Sequence, residues 1–398
     1  MSTKTTYKQT ELGLIPEDWE VKKFNKFSKF YSGGTPLTSK SEYYGGEIPF
    51  IKSGEIYYDR TEQFLTQEGL NNSSAKLVYR GDLLYALYGA NSGEVAISQL
   101  EGAINQAILC IQQNKDEAET IYLYNYLKLE KSNIINKFLQ GGQGNLSADI
   151  IKNLQIPLPP LPEQKKIADC LSTWDCAIEK QSQLINALTQ RKKALMQQLL
   201  TGKKRLPGFS GEWKLNSIND LFIFKNGKAH ENDIDENGKY ILINSKFIST
   251  DGEISKKTNS NLVPLEVNDL VFVMSDVPNG KALAKFFLIK EDSLYTLNQR
   301  IGLLKIKKGN PIFMYYLLNR NSYFLMFDNG VGQTNLRKDD ILDCPLNIPS
   351  LEEQTAIAEI LATADRELQL QKDKLAQLQS QKKGLMQVLL TGKKRLIN

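Results

Sequence analysis

The sequence predicts an α+β protein: two similar α/β domains separated by an antiparallel two-helix coiled coil, with pseudo-two-fold symmetry. Three observations carry this expectation. The octapeptide LLTGKKRL stands at Leu199–Leu206 and again, unchanged, at Leu389–Leu396. It ends a longer repeat, because Glu163–Leu206 aligns with Glu353–Leu396 at a constant offset of 190, without a gap, with 22 identities in 44 positions. The stretches preceding each copy share only fragments, such as GDLLY at Gly81–Tyr85 against NDLVF at Asn268–Phe272. The chain is therefore one unit written twice, a variable globular part followed by a closely matched tail. Two copies are too few for a solenoid.

The elements follow in order. Residues 1–155 and 207–345 carry short β-rich runs (EIPFIKSGEIYY, DLLYALYG, EVAIS, AILCIQ; then KYILIN, DLVFVM, ALAKFFLIK, RIGLLKIK) separated by Gly, Asn and Asp turns. Each part has one late amphipathic helix, ETIYLYNYLKLEKSNIINKF and PIFMYYLLNRNSYFLMF. The tails, 156–206 and 346–398, are long helices. Ile167, Leu171, Trp174, Ile178, Ile185, Leu188, Leu195 and Leu199 follow the 4-3 spacing of a coiled-coil seam, matched by Ile357, Leu361, Ala364, Leu368, Leu375, Leu378, Leu385 and Leu389. The second helix opens on Ser350-Leu-Glu-Glu353, a capping box, and the first on a stiff Pro-rich entry with Pro162 in its first turn. Both stop at Gly202 and Gly392, suited to a left-handed cap, followed by Lys203-Lys204-Arg205 and Lys393-Lys394-Arg395 beside the negative helix end. Roughly 38 residues at about 1.5 Å each give a rod of about 57 Å.

The second globular part follows the first helix directly and feeds the second, and the two ends of a domain usually lie close together. The helices are therefore expected to run antiparallel, with the globular parts at opposite ends. Each seam is interrupted at the same places, Gln181/Gln371 and Lys192/Lys382. Antiparallel packing brings the two glutamines together near the centre, where a polar pair would fix register; the alternative is that both point to solvent. The same register sets Lys192 near Glu359 and Lys382 near Asp169.

Composition excludes several classes. With 41% apolar and 24% charged residues the chain is a globular protein. No run of about 18 apolar residues exists to span a membrane, and the N-terminal stretch lacks the apolar core of a signal peptide. Cys110, Cys170, Cys176 and Cys344 lack metal-ligand spacing and fit reduced cytosolic thiols, so a cytoplasmic location is expected. The single histidine, His230, leaves no room for a Ser-His-Asp triad or a histidine zinc site. Neither a G-x-x-x-x-G-K-[ST] phosphate loop nor the Asn/Asp-Pro-Pro-Tyr/Phe motif of an amino-methyltransferase is present. No catalytic apparatus is visible, no metal or cofactor site is expected, and the chain is expected not to be an enzyme.

The loops are rich in residues suited to nucleic acid. Asn and Gln can pair with an adenine edge, Arg and Lys with a guanine edge, and Lys and backbone N–H groups with phosphates. Candidate base readers are Thr38, Ser39, Lys40, Asn91 and Ser92 in the first domain, and Lys228, Ser245, Lys246, Asn279 and Lys281 in the second. Asn105/Gln106 and Gln143/Asn145 recur as Asn298/Gln299 and Gln333/Asn335, which fits structural or phosphate-directed roles better than base reading. The six basic residues after the two helix ends fit phosphate contacts and helix caps equally.

Two variable domains, each followed by NLS…PLPPLPEQ or NLR…NIPSLEEQ and a long helix ending LLTGKKRL, resemble the specificity (S) subunit of type I restriction–modification enzymes. The opening GLIPEDWEV and the GGTP…YYGGEIPFIK stretch extend the resemblance over the whole chain. It implies a non-catalytic subunit that reads a bipartite, gapped, asymmetric duplex DNA site through two target-recognition domains. It further implies docking of two methyltransferase (M) subunits and of restriction/translocase (R) subunits. S-adenosylmethionine would bind the M partner, which flips its target adenine, and ATP and Mg would bind the R partner. Paired readers would meet the major groove about one helical turn, ~34 Å, apart. The alternatives are a structural coiled-coil adaptor, which would bind protein but not DNA, and a self-sufficient DNA-modifying enzyme.

Overall fold

The computed structural model describes residues 6–139, 145–230, 233–277, 280–328 and 330–397. The chain divides into two units, Met1–Ser182 with Asp373–Asn398, and Gln183–Lys372. Each unit therefore holds one globular domain, the start of one long helix and the end of the other.

Both domains are built on the same plan. In the first, an antiparallel sheet runs Ser28–Ser32, Ile108–Gln113, Leu83–Ala86, Val95–Ile97. In the second, the order Phe222–Asn226, Ile301–Ile306, Leu270–Val273, Phe286–Leu288 repeats it strand for strand. Beside it lies a second sheet, of four strands in the first domain and three in the second, containing one parallel pair, Tyr44–Ile51 with Gly102–Ile104 and Tyr240–Ile243 with Tyr295–Leu297. The central strands bury both faces, Leu83–Ala86 and Leu270–Val273 being buried at every residue, as their unbroken apolar runs require. Two sequence runs end sooner than expected. The strand in EIPFIKSGEIYY stops at Ile51, and the chain then turns through residues 52–59. In PIFMYYLLNRNSYFLMF the helix Pro311–Leu318 stops and a short one restarts at Ser322–Leu325. Between them Arg320 takes φ 58, donating from its backbone N to Ala284 O and from Nη1 to Leu283 O.

A strand near the start of each domain pairs with its last; in the first domain a hairpin, Tyr7–Thr10 with Gly13–Pro16, precedes it. Glu20–Lys23 lies antiparallel to Gln155–Leu158, and Lys214–Ser217 to Pro345–Ile348. These pairings bring the ends of each domain together, and they place residues 155–158 and 345–348 with the globular parts rather than the helices. The long helices follow at Leu161–Leu199 and Leu351–Leu389, 39 residues each.

Within each unit the two helix segments run antiparallel. As the second helix advances from Lys382 to Arg395, its partners on the first recede from Asp175 to Glu163. As the first runs from Arg191 to Arg205, its partners recede from Glu367 to Glu353. Every seam position is buried or half-buried, and the end positions Ile167, Leu171 and Leu389, or Leu199, Ile357 and Leu361, complete the core of a domain. Gln181 is buried and Gln371 half-buried. The lysine partners differ from expectation: Lys192 binds Asp365 rather than Glu359, and Lys382 binds Asp175 rather than Asp169. Both shift six residues the same way, because helical side chains lean toward their own N-terminus. In an antiparallel pair the two leans diverge, so partners lie farther along each chain than a register of Cα levels indicates.

The repeated tail explains itself here. Gly202 (φ 68) and Gly392 (φ 71) take the left-handed cap, and Lys204 N and Lys394 N donate back to Gln198 O and Val388 O. The chain is thereby turned so that Arg395 grips Glu163, Nε to Oε1 and Nη2 to Oε2 at 2.7 Å each, while Nη1 and Nη2 reach Asp18. Trp19 donates its indole N–H to the same Glu163 and lies under the guanidinium. In the other unit Arg205 grips Glu353 over Trp213, whose N–H finds no protein partner among the described residues. Because Glu353 is turned to Arg205, the expected capping box is half-made: Glu353 N donates to Ser350 Oγ, with no return bond from the carboxylate among the described residues. The adjacent Gln164 and Gln354 bind backbone groups of the preceding loop, Glu119 N and Asn310 N among them.

With Glu163 2% and Arg395 8% exposed, Arg395→Ala leaves a buried carboxylate unpaired and is expected to cost about 3–5 kcal/mol, measured by denaturant unfolding. Arg395 also holds the Asp18 carboxyl below its ordinary value. A depressed carboxylate adds stability above its unfolded pKa of about 3.9 and loses it as pH falls through the folded value. The wild-type excess over Asp18→Asn should therefore begin to decline below about pH 4 and be lost as pH falls through the lowered folded value.

Candidate nucleic-acid interface

The ends of the parallel strand pair organise the loops of each domain. In the first domain residues 52–58 follow one parallel strand and Asn105–Ala107 the other. Gly33 closes against them so tightly that an added Cβ would sit 1.7 Å from Ile104 O. The second domain repeats this, Gly227 standing where a Cβ would fall 1.9 Å from Asn298 O. A further loop joins through matched backbone bonds: Leu87 N to Ala107 O and Leu146 N to Leu87 O, answered by Met274 N to Arg300 O and Leu336 N to Met274 O. Five segments thus converge in each domain, near residues 33–36, 52–58, 88–94, 105–107 and 145–147, and near 227–229, 244–249, 274–277, 298–300 and 334–337.

Several candidate readers fall on these segments. Thr38, Ser39 and Lys40 are exposed; Thr38 lines a groove with Thr35, Lys52, Gln63 and Asn105, while the Lys40 ammonium rests on Tyr43 and donates to its hydroxyl at 2.9 Å. Asn91 lies against Gly54. Ser92 is spent internally, its hydroxyl closing the turn onto Leu87 O and Gly89 O. Lys228 is exposed, with its backbone held by Leu297 O and by His230 Nδ1. Ser245 and Lys246 open a short helix capped by Asn244, with Lys246 exposed, and Lys281 is exposed. Asn279 and Gln143 lie outside the described residues.

The recurring pairs act on the fold. Asn105 Oδ1 accepts from Ala107 N, Asn298 Oδ1 accepts from Gln299 N, and Gln333 bonds Ser275 Oγ. Arg205 and Arg395 are committed to Glu353 and Glu163, so their guanidinium groups are not offered to phosphate. Lys203, Lys204, Lys393 and Lys394 remain exposed. Sequence reasoning did not single out Lys52, Tyr57 and Tyr58, hidden in a run that reads as a strand, or Arg300 and Arg337, exposed on the converging loops. Sequence left Glu163, Gln164 and Gln354 without a role and read Glu353 only as half of a capping box, although the identity of the Glu-Gln pair in both copies was the available signal.

Among the described residues no cluster of metal-ligating side chains occurs, and no helix is long and apolar enough to cross a membrane. A scaffold built twice, each copy presenting polar and basic loops, defines a DNA-recognition protein. The type I restriction modification DNA specificity domain matches residues 16–190 and 210–380, and the chain belongs to that family. The MjaVIII type I restriction enzyme specificity subunit of Methanocaldococcus jannaschii is 28% identical over 96% of this chain and 95% of its own. Among solved structures, the S subunit of a type I system from M. genitalium matches with a TM-score of 0.58 at 16% identity, over 93% of this chain and 96% of that one. A chain from a study of complex assembly and conformational transition in a type I system matches at 0.62 and 15%, over 96% and 99%. The protein is accordingly a non-catalytic DNA-recognition subunit, with catalysis carried by other subunits of the system.

Replacing Lys203 and Lys204 together with alanine should weaken DNA binding and flatten its salt dependence, by about 0.9 in slope for each phosphate no longer neutralised. Arg205→Ala should leave that slope unchanged while lowering thermal stability. Salt titrations of DNA binding by the complex with its methyltransferase partner separate the two.

Proposed function

We propose that this chain reads a bipartite, gapped, asymmetric duplex DNA site, one half per domain, and that two methyltransferase subunits and the restriction subunits assemble on it in the cytoplasm. The observation that carries the reading is the pair of matched loop clusters: one scaffold, made by the same strand order and the same backbone bonds, bears different side chains in its two copies. Where the first domain offers Thr38, Lys40, Lys52 and Asn91, the second offers Lys228, Lys246, Lys281 and Arg300. Unlike readers imply unlike half-sites, and a bidentate side-chain pair discriminates a base by about 1–3 kcal/mol. The antiparallel helices, about 58 Å each at 1.5 Å per residue, would set the gap. In this reading S-adenosylmethionine binds the methyltransferase partner and ATP with Mg the restriction partner, with no cofactor in this chain.

Methylome sequencing of cells with and without this chain, its partners present in both, should reveal one two-part motif that depends on it. An uninterrupted or palindromic motif would overturn the reading.

A further inference from the structure

The segment Leu87–Gly93 leaves and rejoins the first domain's sheet between two neighbouring strands, its base closed by Gly93 N to Ala86 O at 2.9 Å and Ala86 N to Glu94 O at 2.8 Å. Those backbone bonds fix where the loop begins and ends, and Leu87 ties its first residue to Ala107 and Leu146. At its far end one side chain joins it to two further elements. The half-buried Glu94 carboxylate accepts from the hydroxyl of Tyr57, on the turn after the parallel strand, through one oxygen and pairs with the ammonium of Lys131, on the helix Thr120–Leu139, through the other. Glu94 N returns to Asn91 O at 3.0 Å, so carboxylate and candidate reader are joined through a single tight turn. Beneath it Gly93 (φ +83) admits the helix so closely that an added Cβ would lie 3.0 Å from Ile135 Cδ1 and 3.2 Å from Lys131 Cγ.

We propose that Glu94 is a positioning residue for DNA reading by the first domain: by binding Tyr57 and Lys131 at once, it sets Asn91 against the 52–58 turn. Burial raises the Glu94 carboxyl, but the Lys131 ammonium and Tyr57 hydroxyl outweigh it and hold the group below the usual glutamate range, so the carboxylate is charged at neutral pH. The second domain solves the same problem from within the loop. There Asp276 accepts from the backbone N–H groups of Val277, Ala282 and Leu283. Base choice in one half-site is thus coupled to Lys131, a residue on a helix rather than on a reading loop.

The inference rests on the two-part reading above, and the test separates them. The full chain is co-expressed with its methyltransferase partner in a host lacking that methylation, and native DNA is sequenced for methylated motifs. Glu94→Gln keeps the side-chain size but breaks the ion pair, and Tyr57→Phe removes only the hydroxyl. Both should relax the same single half of the motif, with about tenfold less discrimination at one or more of its base pairs, while the other half keeps its stringency. Unchanged stringency in both halves, or equal relaxation of both halves as a loss of fold would give, overturns the role of Glu94. A wild-type chain that yields no two-part motif overturns the underlying reading, and this inference with it.

Discussion

Each unit depends on a carboxylate at the start of one long helix held by the arginine that ends the other, Glu163 with Arg395 and Glu353 with Arg205. A buried ion pair is costly to desolvate and gains little over a hydrophobic substitute. What it supplies here is direction. A two-pronged guanidinium adds geometric specificity to its grip on a carboxylate, and here it joins helix ends of opposite sense. The glutamate sits in the first helical turn, where the macrodipole favours negative charge, and the arginine follows a glycine that reverses the chain. Strand pairing at the mouth of each domain does the rest, holding a strand near its start beside its last.

From that constraint the recognition surface follows by backbone geometry. Parallel strands end together, so whatever follows them is gathered on one side of the domain, and the close glycine approaches draw a neighbouring loop against the same spot. The two domains agree in these peptide-level features and disagree in the side chains placed on them. A family defined by DNA specificity requires this combination, a constant frame with variable contents.

Much of the frame is legible in the sequence. A seam of apolar residues at alternating four and three spacing needs no tertiary knowledge to announce a helix pair, and adjacency along the chain fixes its sense. The partners of Lys192 and Lys382 escape such reasoning because Cα levels do not report where a leaning side chain ends. The tail arginines read equally as caps or phosphate binders because a basic cluster in sequence carries no record of the acid it will meet 148 or 232 positions away. Tyr57 and Tyr58 are lost inside a run whose β-rich composition continues past the point where the strand stops, the same run of residues serving a strand and then a turn. Glu94 stands in a run that reads only as a strand, since its importance comes from two side chains far off in sequence.

The bonds tying Leu87 to Ala107 and Leu146, and Met274 to Arg300 and Leu336, run wholly between main-chain atoms. Amide and carbonyl groups are common to nearly every amino acid, so this lashing is indifferent to which residues occupy the strings it binds. Evolution can therefore rewrite the vocabulary of each domain letter by letter, or import a foreign passage wholesale, without renegotiating the architecture; at positions such as Gly33 and Gly227, where no side chain fits, the spelling is dictated.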